Sequence, residues 1–124
     1  MKRYVTLAEV DDVTKGTFQL DEVEVRDFKD EAVFILKVEE LTETGGADPI
    51  TLQVKVQSYF SQADVWKDTV IFDEISATGE TISDVQLKVM TIGLGMKQRV
   101  VYTLSGSGTV GANKFKVIAE YKDK

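Results

Sequence analysis

An all-β fold is predicted for this chain: an antiparallel β-sandwich, jelly-roll-like, of about eight strands. Three observations predict it. First, Ile50–Gln57 alternates without a fault. Ile50, Leu52, Val54 and Val56 point one way, and Thr51, Gln53, Lys55 and Gln57 the other. That is the period of a half-buried strand. Second, short runs rich in β-branched and aromatic residues recur between turn signals at intervals of roughly 8–12 residues, the spacing of a sandwich. Third, the sole proline, Pro49, lies outside every candidate strand, as a sheet requires, because proline cannot donate to a ladder.

The elements follow in order. Arg3–Leu7 is the first strand candidate, and Thr17–Leu20 the next, after a turn at Lys15-Gly16. Glu22–Phe28 alternates, with Val23 and Val25 opposite Glu22, Glu24 and Arg26. Ala32–Leu41 is the most apolar run and is long enough for a helix. Val33, Ile35 and Val38 favour sheet, and no clean capping box precedes them, so the run is read as a strand. Thr42–Pro49, with Gly45-Gly46 and Asp48-Pro49, is a loop. Ile50–Gln57 is the best strand. Ser58–Asp68 is expected to be a connection with a short helical turn, and Thr69–Ile75 a strand before a turn at Gly79. Ile82–Ile92 alternates through Val85, Leu87 and Val89, and Gly93-Leu94-Gly95 ends it. Gln98–Leu104 places Val100, Tyr102 and Leu104 on one face, and Ser105–Ala112 is a hairpin loop. Lys114–Tyr121 closes the fold with Phe115, Val117, Ala119 and Tyr121 inward and Lys114, Lys116 and Glu120 outward. Lys122-Asp123-Lys124 is expected to fray.

With 124 residues, 43% of them hydrophobic, the chain is one domain with a real core, spanning 1–124. Residues 1–12 are either part of a strand layer or an N-terminal arm. Cysteine is absent, which removes disulfides, thiolate nucleophiles and thiolate metal sites together. Histidine is absent too, which removes imidazole acid–base chemistry and histidine-ligated zinc. A catalyst would have to work with Asp, Glu, Lys, Tyr, Ser or Thr, so an enzyme is not expected.

The net charge is −6. Residues 1–48 hold 13 acids and 6 bases, and residues 49–124 hold 8 acids and 9 bases. A nucleic-acid partner needs a basic face, and an anionic membrane repels an acidic one; neither is expected. The acidic first half reads as a solvated surface. Met1–Tyr4 is followed by only a short apolar run before Glu9, unlike a signal peptide. No apolar run approaches the roughly 18–20 residues of a membrane helix. The expectation is a soluble protein made in the cytoplasm.

Candidate chemistry is sparse. Asp11-Asp12, Glu39-Glu40 and Asp73-Glu74 are adjacent pairs, and neighbours on a strand point to opposite faces. Glu22 and Glu24 share a face, with Asp27 and Asp30 nearby. They could supply oxygens to calcium, but no recognisable calcium loop frames them, and a solvated acidic face is the better account. Gly93-Leu94-Gly95 lacks the lysine and helix of a phosphate loop, and Ser105-Gly106-Ser107-Gly108 has no following helix. No catalytic residue, metal site or cofactor is assigned. Trp66, the only tryptophan, stands close to Tyr59 and Phe60. Exposed, Tyr59 and Trp66 would form a platform for a sugar ring or a protein partner; buried, Trp66 would anchor a turn, which is what tryptophan's burial tendency favours.

One pattern covers more than half of the chain. Leu52-Gln53-Val54-Lys55-Val56-Gln57-Ser58 leads to a polar turn ending in Asp64-Val65-Trp66-Lys67-Asp68. Ile71-Phe72-Asp73-Glu74-Ile75 and Ala77-Thr78-Gly79 follow. Then come Gln98-Arg99-Val100-Val101-Tyr102-Thr103-Leu104-Ser105-Gly106 and Lys114-Phe115-Lys116-Val117-Ile118. In order and spacing this resembles a group of small virion proteins of tailed bacteriophages. The Ser-x-Asp-Gly turn usual in that group is replaced here by Ser58-Tyr59-Phe60-Ser61-Gln62, and the acidic first thirty residues have no counterpart. The resemblance implies a non-catalytic structural protein located in the virion. It would decorate the capsid surface, or serve in the tail or head–tail region. It implies the major capsid protein or another virion protein as partner, and a homo-oligomer. The rival from another class is a carbohydrate-binding sandwich module that uses Tyr59 and Trp66.

Overall fold

The computed structural model describes residues 2–25, 31–91 and 96–122. Among them the chain forms ten strand segments and no helix. They are β1 (Lys2–Asp11), β2 (Gly16–Gln19), β3 (Val23–Val25), β4 (Glu31–Glu43), β5 (Ile50–Phe60), β6 (Val65–Ile71), β7 (Ile75–Ala77), β8 (Thr81–Thr91), β9 (Met96–Ser105) and β10 (Val110–Lys122). All pairings are antiparallel.

One sheet has the order β1-β10-β4-β8, and the other β2-β9-β5-β6. Strand β3 pairs with β9 beyond β2, and β7 pairs with β5 beyond β6. Counting each interrupted pair as one strand leaves eight positions, four per sheet. The chain changes sheet at every connection but β5–β6. This is a jelly roll, an eight-stranded double sheet.

The core lies between the sheets. Strand β4 gives Phe34, Leu36, Val38 and Leu41, and β10 gives Phe115, Val117, Ala119 and Tyr121. Facing them are Ile50, Leu52, Val54 and Val56 of β5 and Val100, Tyr102 and Leu104 of β9. Tyr102 and Phe115 meet edge to face across the two layers, with ring centroids 5.2 Å apart, a favoured aromatic geometry.

The structure departs from the sequence expectations in identifiable places. Ser58–Asp68 is not a connection with a helical turn. Strand β5 runs on to Phe60, a tight turn covers Ser61–Asp64, and β6 returns. Ser58 faces inward and is buried, but its hydroxyl bonds to that of Thr69 at 2.8 Å. A satisfied hydroxyl therefore holds a core position without ending the strand. The expected strand Thr69–Ile75 is broken after Ile71. Asp73 and Glu74 are consecutive exposed residues, and two outward residues in a row break the two-residue period. Residues 2–11 are laid along β10 as an edge strand, with Leu7 and Ala8 buried, so they are no free arm. The Gly93-Leu94-Gly95 turn, Arg26–Asp30, Ile92 and the last two residues lie outside the described residues.

Candidate functional site

The outer face of the first sheet is where this fold leaves apolar surface uncovered. Cross-strand pairing aligns its side chains in rows. Tyr4, Glu120, Val33 and Val89 form one row; Thr6, Ile118, Ile35 and Leu87 the next; Glu9, Lys116, Lys37 and Val85 the third. Apolar residues gather toward β8, and charged ones toward one end of β1 and β10. There Lys114 lies 3.5 Å from Glu39 and 3.6 Å from Asp11, while Lys116 lies 3.7 Å from Glu39. Glu39 first, then Asp11, hold the Lys114 amine above its usual range.

Strand β8 is turned opposite to the strands of the core. Val85, Leu87 and Val89 are 58%, 62% and 67% exposed. Its inward positions hold Asp84, Gln86 and Lys88 between the half-buried Ile82 and Met90. Those polar side chains have work at the rim. Gln86 accepts from the Asp73 backbone N–H at 2.7 Å and donates to the Asp73 carbonyl at 3.1 Å. Lys88 pairs with the Asp73 carboxylate at 3.5 Å. Strand β8 is thereby tied to the break between β6 and β7, and its apolar side looks into solvent.

The outer face of the second sheet carries Tyr59 and Trp66. They are cross-strand partners at the hairpin joining β5 and β6, with ring centroids 5.4 Å apart and planes tilted by 49°. The expectation that Trp66 is a buried turn anchor is corrected: it is half-buried and lies outside the core. The reason is parity. Tyr59 points outward because Ile50 through Ser58 alternate inward, and its partner must share its face.

The Arg99 guanidinium lies 4.1 Å from the Trp66 ring centroid, and the Lys97 amine 5.9 Å from that of Tyr59. Arg99 Nε donates to Gln57 Oε1 at 2.8 Å, and Gln57 Nε2 donates to Asp68 Oδ1 at 2.9 Å. That amide holds Asp68 below the usual carboxylate range. The Tyr59 hydroxyl donates to Asp64, which raises the phenol's pKa. One face of the indole is therefore covered by a cation, and the two rings make no common flat shelf. The arrangement suits a self-contained cation–π cluster better than a sugar platform.

At one end of the sandwich is a group that sequence reasoning missed. Glu43 is buried at the end of β4, and its carboxylate accepts four backbone N–H bonds. Oε1 takes Gly46 at 2.6 Å and Gly79 at 2.8 Å; Oε2 takes Gly45 at 2.6 Å and Thr109 at 2.7 Å. These donors, Gly46 foremost, hold its pKa at about 2 against the opposing effect of burial. One carboxylate thus joins three connections. The signal in the sequence was Glu43 standing just before Gly45-Gly46, at the edge of the expected loop. Beside it the Gly106 backbone (φ 104°) passes so near Pro49 that a Cβ would lie 2.3 Å from the Pro49 carbonyl oxygen.

Of the acidic residues considered for calcium, Glu22 is ion-paired with Lys97 at 3.3 Å, while Asp27 and Asp30 lie outside the described residues. Among the described residues no group of three or more His, Cys, Asp or Glu side chains could hold a metal ion.

No protein-family model matches the chain, and no curated protein does. Among solved structures it is similar to Eiger TNF from S. frugiperda, with 9% identity and a TM-score of 0.44. The match covers 81% of this chain and 64% of that one, so this chain spans less than two thirds of that protein's length. A likeness this distant carries no argument about function.

Proposed function

We propose that this chain is a non-catalytic structural protein that works by docking the outer face of its first sheet on a larger assembly. The observation that carries the reading is the inverted strand β8, with Val85, Leu87 and Val89 in solvent and polar residues inward. Scattered surface leucines need no explanation, but a contiguous apolar face marks an interaction surface. Val33 and Ile35 of β4 and Ile118 of β10 extend that face.

The resemblance to small virion proteins of tailed phages supplies the setting. The chain would sit on the capsid surface, held by the major capsid protein or another virion protein. A chain of net charge −6 without histidine or cysteine suits such a role better than catalysis or nucleic-acid binding. The test is co-sedimentation with expanded capsids, beside isolated tails. Capsid binding is expected. Binding to tails alone would move the protein within the virion, and binding to neither would sink the docking reading.

A further inference from the structure

We propose that β8 pairs edge to edge with β8 of a second copy, antiparallel about a two-fold axis at Gln86, so that two four-stranded sheets become one of eight strands. The inference deepens the docking reading and rests on it only in making the joined outer face the docking surface.

The edges of the two sheets are not alike. Proteins blunt sheet edges with short strands, bulges, breaks and inward-pointing charges, of which β8 has only the charges, Asp84 and Lys88. Strands β2 and β3 are short, with four and three residues. Strands β6 and β7 are broken apart, and β6 has a register shift at Val56/Gln57 of its partner β5. Strand β1 has a shift between Thr6 and Ala8. Strand β8 is 11 residues long, has no proline, and keeps one register with β4 from Asp84 to Thr91. Among the described residues it pairs with β4 alone. Its far side is a template for another strand.

The charges on β8 select the occupant and the register. Asp84 and Lys88 are its only charged residues. Centred on Gln86, antiparallel self-pairing puts Asp84 of each copy opposite Lys88 of the other. It also puts Val85 opposite Leu87 and Ile82 opposite Met90, and it keeps both apolar faces on one side. The same register overlaps the strands over their whole length, Thr81 opposite Thr91. Registers centred on Asp84 or Lys88 would oppose like charges. Within one copy Lys88 holds only a partly exposed ion pair with Asp73, and Asp84 only an exposed bond from Gln86 Nε2 at 3.1 Å; exposed pairs hold weakly and can be exchanged for the cross-seam pair.

Area supports the same conclusion. Three rows over β10, β4 and β8 cover roughly 300 Å² at ordinary strand spacings, against about 800 Å² per partner in a stable interface. One copy's patch is too small to hold a partner by itself. Pairing doubles it and adds about ten backbone hydrogen bonds along the seam.

The experiment is sedimentation equilibrium on the full chain, with melting curves to verify folding. The wild type should sediment at twice 13.8 kDa. Asp84→Lys alone, or Lys88→Asp alone, faces like charges twice across the dyad and should weaken the dimer on the order of tenfold or more. The two exchanges together should restore it to within a few-fold of wild type. Hydrogen exchange should show every second β8 amide more protected in the wild type than in either single variant. A monomer at about 100 µM would overturn the proposal, as would an oligomer indifferent to both single exchanges. Capsid binding is read in parallel with Ile35→Lys, which alters the face one strand away from the seam. A dimer that binds no capsid leaves the pairing standing and sinks the docking reading. A monomer that binds capsids, and loses them on Ile35→Lys, does the reverse.

Discussion

Leu87→Thr separates a docking face from a core. Threonine is β-branched and strand-favouring, and it removes apolar surface. In the free protein Leu87 is 62% exposed and points away from the core, so its replacement should change folding stability by no more than about 0.5 kcal/mol, the range of ordinary surface changes. Phe34, fully buried on neighbouring β4, is the internal standard. Phe34→Ala should cost about 3–5 kcal/mol, which in a domain of this size lowers the melting temperature by about 10 °C or more.

In a complex the ranking reverses. Burying a whole leucine side chain is worth about 1.5–3 kcal/mol, and covering the 62% still in water recovers about 1–2 kcal/mol of it. Leu87→Thr should therefore weaken capsid binding by roughly 5- to 25-fold. Exchanging Val85, Leu87 and Val89 together for threonine should remove detectable co-sedimentation at an unchanged melting temperature. The assay is paired thermal melts and capsid co-sedimentation. A Leu87→Thr melt that falls as far as Phe34→Ala would mean the face is covered within the folded chain. Triple-variant binding equal to wild type would mean that docking uses another surface. Either result refutes the reasoning.

Four further outcomes follow from the geometry. Because the Glu43 carboxylate is held at about 2 from an ordinary 4.5, its stabilisation is complete above about pH 4.5 and is lost as pH falls toward 2. Glu43→Gln should lower stability at neutral pH, since an amide NH₂ would face N–H donors, and should flatten the acid limb of a pH–melting profile; an unchanged limb would count against the cage. Gly106→Ala should cost about 1–3 kcal/mol by denaturant titration and exceed Gly46→Ala, where the φ is also positive but a Cβ has nothing within 4 Å. Trp66→Ala should cost only about 1–2 kcal/mol, with native emission red of a fully buried indole; quenching of that emission by simple sugars would revive the carbohydrate-module reading. Deleting residues 2–11 should strongly lower the melting temperature, because Leu7 and Ala8 leave the core and β10 loses a neighbour; an unchanged melt would mean that β1 contributes nothing to folding.

Some of this was legible in the sequence. On β5, β9 and β10 the residues between the inward ones are polar except Val101 and Ile118, so one face is marked for the core, and the inward sets Ile50–Val56, Val100–Leu104 and Phe115–Tyr121 are buried as alternation requires. Tryptophan's general tendency to be buried does not decide the place of Trp66, because its face is set by its pairing. Once Ser61–Asp64 is a hairpin turn, Trp66 stands opposite Tyr59 and follows it outward. Glu43 was legible only in part, through the local donors Gly45 and Gly46 that follow it. Two of its four donors, Gly79 and Thr109, lie 36 and 66 residues away, and no local pattern brings three connections to one carboxylate.

Strand β8 shows what alternation leaves undecided. A two-residue period separates two faces but does not say which one meets the core. The side was settled by pairing, which aligns Leu87 with Ile35 and Val89 with Val33. These partners sit on the outer side of a strand whose inner side already supplies Phe34 and Leu36. The run Ala32–Leu36 is thus apolar on both faces, a composition found in strands covered on both sides. A two-layer sandwich covers only one. The double-sided run on β4 and the inverted strand beside it therefore point to the same missing layer. In the docking proposal that layer comes from outside the chain, and the β8 seam doubles the surface it meets.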